Sequence, residues 1–262
     1  AFIPMEYWEI HAVFSPENSR KSYHAKLVRI DQDDFLLPDE ASALKTVEEL
    51  RQVSYTLDSL KTAQRNIYPS APFITSTLQQ DASRKLGFPS RKTMQIAQQL
   101  YEGIDIGNGG ETGLITYMRT DSVQVAPQAV QEARDYILRK YGEAFLPEKP
   151  PFYKTRAASA QEAHEAIRPT SALREPAAIK AHLTADQFKL YNLIWQSFIA
   201  SQMNPAVLEI TTAEVAGKNS EHQYLFRASH TRTLFKGYRV VYQDARNEDQ
   251  QELLWQFLLL IQ

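Results

Sequence analysis

Ile-Tyr-Pro-Ser-Ala-Pro at residues 67–72, together with Met-Asn-Pro at residues 203–205, decides how this chain divides. Proline fixes its own φ and disfavours helix in the residue before it, so both stretches are typical of linkers. Apolar residues between them recur at helical spacing, whereas both chain ends alternate with period two. The sequence therefore predicts an α+β multidomain fold, in which an all-α domain of residues 71–204 is inserted into a β-rich domain formed by residues 1–70 and 205–262.

The predicted inserted domain contains four helices with explicit start and stop signals. Each begins at an N-capping hydroxyl or an N-terminal proline. Three of them end at a glycine. The start signals are Ser76 or Thr77, Ser90, Pro127 and Thr184. The stop signals are Gly87, Gly103 and Gly142.

The two chain ends carry the strand patterns of the β-rich domain. These patterns are rich in β-branched and aromatic residues and alternate between apolar and polar positions. One helix, from Ser42 to about Gln52, is expected among them. The predicted strands are residues 11–14, 23–30, 53–61, 206–215, 223–228 and 231–242.

The composition excludes several classes of protein. With 262 residues, 43% of them hydrophobic, the chain has enough apolar side chains for a core and is not intrinsically disordered. No cysteine is present, which excludes disulfides and thiolate zinc sites. The net charge of -2 lacks the basic excess of a typical nucleic-acid binder, so any such role must be local. Without a signal peptide or a long apolar run, we expect a soluble, cytoplasmic protein.

Gly-Leu-Ile-Thr-Tyr-Met-Arg-Thr-Asp-Ser at residues 113–122 is the most informative motif. It predicts a short apolar strand that ends in polar side chains. A phenol with a pKa of about 10, such as Tyr117, is a nucleophile only where its developing phenolate is stabilised. Arg119 lies on the same face of an extended chain, and its donor fork suits a phosphodiester. The pair indicates phosphoryl transfer, whereas the alternative is a core tyrosine with its hydroxyl at the rim.

Two further clusters suit phosphate but also have ordinary structural explanations. His164 and Arg168 are four residues apart, which predicts one face of a short helix that Pro169 ends. The alternative is a surface histidine beside the solvated carboxylate of Glu165. Residues 75–77, Thr-Ser-Thr, stand at a predicted helix start, where free N–H groups suit a phosphate or where a hydroxyl simply caps the helix.

Three long motifs occur in a characteristic order, and together they resemble the bacterial DNA topoisomerase I family of type IA topoisomerases. They are residues 71–80, residues 113–122 and residues 161–169. The resemblance implies that the β-rich domain forms an arch and that the inserted helical domain carries the catalytic tyrosine. It also implies relaxation of negatively supercoiled DNA by transient single-strand cleavage through a 5′-phosphotyrosine link, strand passage and religation, without ATP.

The resemblance also assigns roles to single residues. Tyr117 matches the nucleophile, Arg119 matches the arginine that contacts the scissile phosphate, and His164 matches a histidine near it. Four residues are expected to support DNA binding: Thr116, Thr120, Asp121 and Arg168. The alternatives within the class are topoisomerase III and reverse gyrase, and the alternative outside it is a non-catalytic module that binds single-stranded DNA.

In the family, a Toprim domain supplies the acidic residues that hold Mg2+ and assist the leaving oxygen. Nothing comparable is readable here, and residues 31–34, Asp-Gln-Asp-Asp, are expected in a turn without a metal. We therefore expect this chain to be a central portion of the enzyme that is associated with the nucleoid. Its partners are expected to be the Toprim and ring-closing domains, without which it should neither cleave nor relax DNA. Residues 253–262 are more apolar than the family pattern and are left without a role.

Overall fold

The chain forms a mixed helix and sheet structure of two compact units. The computed structural model describes residues 6–15, 22–31, 35, 37–107, 109–154 and 165–242. The first unit contains the described residues up to Arg65 together with Val207–Leu234. The second unit contains the described residues of Asn66–Ala206 and of Phe235–Asp244.

The strands of the described residues lie mainly towards the two chain ends and the helices mainly between them. The strands are β1 (His11–Phe14), β2 (Tyr23–Ile30), β3 (Ser54–Ile67), β4 (Ile104–Asp105), β5 (Glu111–Thr112), β6 (Ala206–Lys218) and β7 (Gln223–Phe235). The α-helices are α1 (Glu40–Leu50), α2 (Thr75–Leu86), α3 (Ser90–Glu102), α4 (Pro127–Tyr141), α5 (Pro176–Ile179) and α6 (Ala185–Ser201). Short 3₁₀ helices cover Glu143–Phe145, Lys180–His182 and Gly237–Tyr242.

The first unit is a five-stranded sheet of order β1-β2-β7-β6-β3, and residues of α1 contribute to its core. Period-two alternation sends one side-chain set of each strand into this core, including Leu27, Val215 and Phe226. The rings of Phe14 and Phe226 meet edge to face with centroids 5.2 Å apart. The predicted strands at 11–14 and 23–30 are confirmed at their predicted bounds.

Several boundaries in the strand-rich parts differ from the predicted ones. Helix α1 begins at Glu40, because the carboxylate of Asp39 caps it by accepting a hydrogen bond from Ser42 N at 2.7 Å. Strand β3 extends to Ile67, six residues beyond its predicted end. The strand predicted over 231–242 is wrong beyond Phe235, because Gly237 takes a φ of 50° and starts a 3₁₀ helix.

The helices of the second unit follow most of the predicted signals. Gly87 ends α2 in the left-handed conformation, and Pro127 opens α4. Thr184 caps α6 through a reciprocal pair: its hydroxyl accepts from Gln187 N, and the Gln187 side chain accepts from Thr184 N. Helix α6 lies at the centre of this core, with Ile194 fully buried.

Other features of this unit correct the sequence interpretation. The N-cap of α2 is Ile74 rather than Ser76 or Thr77, and Ser90 is the first residue of α3 after the N-cap Pro89. The antiparallel pair β4–β5 means that the described unit is not purely helical. Residues 235–242, expected in the β-rich domain, belong to this unit because Val241 joins its core.

Candidate active site

Residues 113–122 form an irregular segment with a bend at Met118 and Arg119, rather than the predicted strand. Only Ile115 pairs, through an isolated antiparallel bridge to Pro169. Beyond it, the exposed side chains of Tyr117, Arg119 and Asp121 alternate with buried neighbours. The buried set is Met118, Thr120 and Ser122. The segment is thus anchored by alternate residues, and it presents a phenol, a guanidinium and a carboxylate to solvent.

Thr75, the first residue of α2, holds this segment on both sides of Arg119. Its hydroxyl accepts a hydrogen bond from Thr120 N at 2.9 Å and lies 2.8 Å from Met118 O and 3.0 Å from Thr120 O. A hydroxyl has one proton, so it donates to one of these carbonyls at a time. The Thr75 backbone N–H also donates to Thr120 O at 2.9 Å. The start of α2 therefore fixes the backbone that carries Arg119.

Thr116 holds the segment from its other side. The Thr116 hydroxyl donates to Ala166 O at 2.6 Å and accepts from Arg168 N at 3.0 Å. Its backbone N–H donates to Arg168 O at 2.9 Å. The residue next to Tyr117 is therefore fixed to residues 166–168, and the DNA-binding role predicted for Thr116 stays a prediction.

Residues 165–169 are extended, so the helix predicted to end at Pro169 is wrong for this described part. Ile167 forms an antiparallel bridge to Phe73, and Pro169 forms one to Ile115. The segment therefore lies between the residues that precede α2 and those that precede Tyr117. These bridges use the backbone groups that a helix would have required.

Arg168 is largely buried and has internal side-chain partners. It is 9% exposed, and its guanidinium lies 2.7 Å from the Glu165 carboxylate. It also donates to Pro169 O at 3.0 Å. Each of its three guanidinium nitrogens therefore has an internal partner in this conformation, and its contact with DNA stays a prediction. Glu165 is likewise a partner of Arg168 rather than a solvated carboxylate.

The end of α3 contacts the first residues of the segment that carries Tyr117. Leu114 N donates to Leu100 O at 2.7 Å. A Cβ atom on Gly113 would lie 2.9 Å from Tyr101 O, which is closer than real Cβ contacts allow. The ring of Tyr101 meets the ring of Tyr117 edge to face, with centroids 5.3 Å apart. Sequence reasoning missed Tyr101, since nothing in its local pattern distinguishes it.

Tyr117 is more exposed than tyrosines whose phenol groups form hydrogen bonds inside the protein. Tyr191 is fully buried and donates to Arg174 O at 2.8 Å. Burial raises the pKa of Tyr153 to about 12, and that phenol donates to Ser201 O at 2.8 Å. Tyr117 is 43% exposed. Its surroundings therefore disfavour the interpretation as a core ring with a rim hydroxyl.

The remaining predicted residues are placed as follows. The guanidinium of Arg119 makes no hydrogen bond or ion pair within the described ranges. Thr120 is 7% exposed and its hydroxyl accepts from Ser122 N at 3.0 Å, so it braces the segment from inside. Asp121 is exposed. His164 lies outside the described residues.

No group of three or more histidine, aspartate or glutamate side chains in the described part of the chain is arranged to hold a metal ion. The resemblance assigns the magnesium site of the family to the Toprim domain, and that assignment stays a prediction. Across the same residues, no helix has the length and apolarity needed to cross a membrane.

An exposed phenol and an exposed guanidinium lie two residues apart on a braced segment, which is an arrangement that suits phosphoryl transfer. A family model for DNA topoisomerases matches residues 1–258. The chain belongs to this family.

The chain is similar to proteins named DNA topoisomerase 1 in several bacteria. It is 44% identical over 258 residues to that of Xylella fastidiosa strain 9a5c, covering 96% of this chain and 31% of the relative. It is 41% identical over 251 residues to that of Rickettsia felis, covering 94% of this chain and 32% of the relative. The chain thus spans about a third of the length of these relatives.

The fold is similar to a solved structure of full-length topoisomerase I from Thermotoga maritima. The TM-score is 0.71 at 33% identity, over 94% of this chain and 37% of that chain. The resemblance drawn from the three motifs is therefore confirmed.

Proposed function

We propose that this chain is the tyrosine-bearing portion of a type IA DNA topoisomerase that relaxes negatively supercoiled DNA. The exposure of Tyr117 on a segment held by hydrogen bonds on both sides is the observation that carries the proposal. The other groups that the activity requires would come from further domains of a longer protein, since the relatives are about three times as long as this chain. By itself the chain is expected neither to cleave nor to relax DNA.

In the proposed reaction, the Tyr117 oxygen attacks phosphorus and the bond from phosphorus to the 3′ oxygen breaks. The phenol loses its proton, the leaving 3′ oxygen gains one, and the 5′ phosphate stays on Tyr117. Religation is the reverse exchange, so one ester replaces another and no ATP is required. Relief of supercoil strain drives the overall change.

Arg119 is proposed to hold the non-bridging oxygens of the same phosphate. A guanidinium suits this role because its donors form a planar fork that stays charged. Thr75 fixes the backbone on both sides of Arg119, so the guanidinium is presented from a rigid base. His164 is proposed to lie near this phosphate, and Asp121 is proposed to support it from the exposed face.

The two-unit layout is part of the same proposal. The strand-rich unit would form an arch and the unit with Tyr117 would be the inserted domain that moves. In the described residues, the chain passes between the units at residues 65–66, 206–207 and 234–235, and the first two crossings lie close to the proline stretches at 67–72 and 203–205. Bending there would open a gate through which another strand passes while Tyr117 holds the broken end.

The test is covalent capture of DNA by a natural longer protein that contains this sequence. Denaturation during cleavage of an oligonucleotide labelled on the 3′ side of the break should leave label on the protein. Tyr117→Phe should abolish the adduct, because only the attacking oxygen is removed. Tyr101→Phe is the matched control, since it removes the hydroxyl of the neighbouring ring. An adduct that survives Tyr117→Phe would refute the proposal.

A further inference from the structure

A polar groove of about 470 Å³ runs along α2, and neither the family match nor the proposed chemistry accounts for it. Its lining residues are hydroxyl, amide or guanidinium side chains. They are Ser76, Gln79, Gln80, Ser83, Arg84 and Ser90. The first five follow the i, i+3, i+4, i+7 and i+8 spacing of one helix face. The opposite face of α2 is buried through Leu78 and Ala82.

The groove begins where the candidate active site ends. Ser76 directly follows Thr75, whose hydroxyl contacts the backbone on either side of Arg119. From Ser76 to Ser83, α2 rises about 10 Å, which matches roughly three nucleotides at the spacing of stacked DNA. A strand leaving the phosphate site towards α2 would therefore meet this row of side chains.

The hydrogen-bonding groups of the groove are available. Within the described ranges, the side chains of Ser76, Gln79, Gln80, Ser83 and Ser90 make no hydrogen bond. Amides and hydroxyls both donate and accept, so they suit phosphate and sugar oxygens without selecting a base. The lining contains no apolar anchor of the kind that dominates protein interfaces and no ring on which a base would stack.

The local charge also favours a polyanion. Residues 76–92 contain four lysines and arginines and one acid, Asp81, although the whole chain has a net charge of -2. Asp81 is paired with Arg84 and, at 2.8 Å, with Lys85. Arg91 is exposed beside Ser90. Lys92 is paired with Asp186 at 2.7 Å, so Arg91 is the cation of this segment that forms no ion pair among the described residues. The segment as a whole keeps a net positive charge beside the groove.

We propose that the α2 groove binds the sugar-phosphate backbone of single-stranded DNA on the 3′ side of the scissile phosphate. This proposal rests on the proposed function, since that part of the strand is the one whose 5′ phosphate Tyr117 would hold. Contacts beyond the covalent link would keep the broken end from rotating away while the gate is open. The contacts fall on backbone atoms, so binding is independent of base sequence.

Binding by the 262-residue chain to a 5′-phosphorylated single-stranded octanucleotide tests the groove. Gln80→Glu places a carboxylate beside the DNA and should raise the dissociation constant three- to tenfold. Gln131→Glu, on an exposed position of α4, makes the same change of charge in the same unit and should change it less than twofold. Equal effects of the two variants would overturn the proposal.

Cross-linking provides a positional test, because the chain has no cysteine. Ser83→Cys should form a disulfide by thiol–disulfide exchange with octanucleotides that carry an activated disulfide on a tether, releasing the leaving thiol. The yield should be greatest at about the third or fourth nucleotide from the 5′ phosphate, as the rise along α2 indicates. Gln131→Cys is the matched control and should give a low yield at every position. Equal yields at all positions of the tether would contradict the groove.

The outcomes separate this proposal from the proposed function. Loss of the adduct in Tyr117→Phe, with identical binding by the Gln80→Glu and Gln131→Glu variants, would refute the groove alone. A protein that forms its adduct through another residue would refute the proposed function, whatever the groove variants do. Failure of the unmodified chain to bind single-stranded DNA at all would also overturn the groove proposal.

Discussion

Thr75 and Thr120 are joined by two hydrogen bonds from backbone N–H groups, although they are 45 positions apart in the sequence. The backbone N–H of each donates to an oxygen of the other: Thr75 N to Thr120 O, and Thr120 N to Thr75 Oγ1, both at 2.9 Å. The Thr75 hydroxyl also contacts Met118 O at 2.8 Å. The first turn of α2 is thereby fastened to the backbone of Arg119, which couples a helix start to the presentation of a functional side chain.

Thr75→Val should lower both stability and adduct yield. Valine keeps the shape but leaves Thr120 N without its acceptor, which costs about 1–3 kcal/mol. Thr77→Val is the control, because the Thr77 hydroxyl accepts only from Ile74 N at the start of the same helix. Chemical denaturation should show a loss for both variants, whereas adduct yield should fall more than tenfold only for Thr75→Val. Equal adduct yields would show that Thr75 does not position Arg119.

Gly113→Ala should displace the segment that carries Tyr117. Its Cβ would lie 2.9 Å from Tyr101 O, so the end of α3 or the segment has to shift, at a cost of about 1–3 kcal/mol. Gly110→Ala is the matched control, since its added Cβ would lie more than 4 Å from every described residue other than its chain neighbours. Thermal unfolding should separate the two variants by several degrees. A Gly113→Ala variant as stable as Gly110→Ala would contradict the close contact.

Arg119→Ala should reduce adduct formation without lowering stability, whereas Arg168→Ala should lower stability. Removing the exposed Arg119 should change the free energy of unfolding by less than about 0.5 kcal/mol but reduce adduct formation strongly. Removing Arg168 leaves Glu165 without its partner and should cost about 1–3 kcal/mol. Urea denaturation gives the stability, and covalent capture gives the function. An unstable Arg119→Ala or a fully stable Arg168→Ala would contradict these assignments.

The ion pair between His222 and Asp31 in the strand-rich unit should make stability depend on pH. The side-chain hydrogen bond to Asp31 raises the pKa of His222, and hydrogen bonds from Gln223 N and His222 lower the pKa of Asp31. Because the pKa of His222 is raised in the folded state, protonated His222 stabilises the fold at low pH. This stabilisation is lost as the pH rises through the pKa of His222 in the folded state. Because the pKa of Asp31 is lowered in the folded state, ionised Asp31 stabilises the fold at higher pH. This stabilisation is lost as the pH falls through the pKa of Asp31 in the folded state.

The two effects overlap between the pKa values of the two groups, so the deficit of His222→Ala should be largest at about pH 4–6.5 and absent above about pH 8. Melting temperatures across this range measure the deficit. His24→Ala is the control, since exposed His24 forms no ion pair among the residues the structure describes. A deficit for His222→Ala that does not change with pH would refute the ion pair.

Much of the secondary structure could be predicted because it depends on local signals. Proline at the start of α4, glycine after α2 and the capping box of α6 act within a few residues. The helix predicted before Pro169 failed because its spacing was equally compatible with an extended segment. Backbone partners at Phe73 and Ile115 decided between the two, and these are far away in sequence.

The sequence by itself determined the family and put Tyr117 and Arg119 two residues apart, because motifs and the period of an extended chain are local properties. Only the tertiary structure decided that Arg119 is exposed while Arg168 is buried against Glu165. Both are arginines in motifs suited to phosphate, so composition and spacing do not distinguish them. The partners of the Arg168 guanidinium, Glu165 and Pro169 O, are local in sequence. The difference arises because folding buries this segment through the backbone bridges of Ile167 to Phe73 and of Pro169 to Ile115, and a buried guanidinium requires such partners.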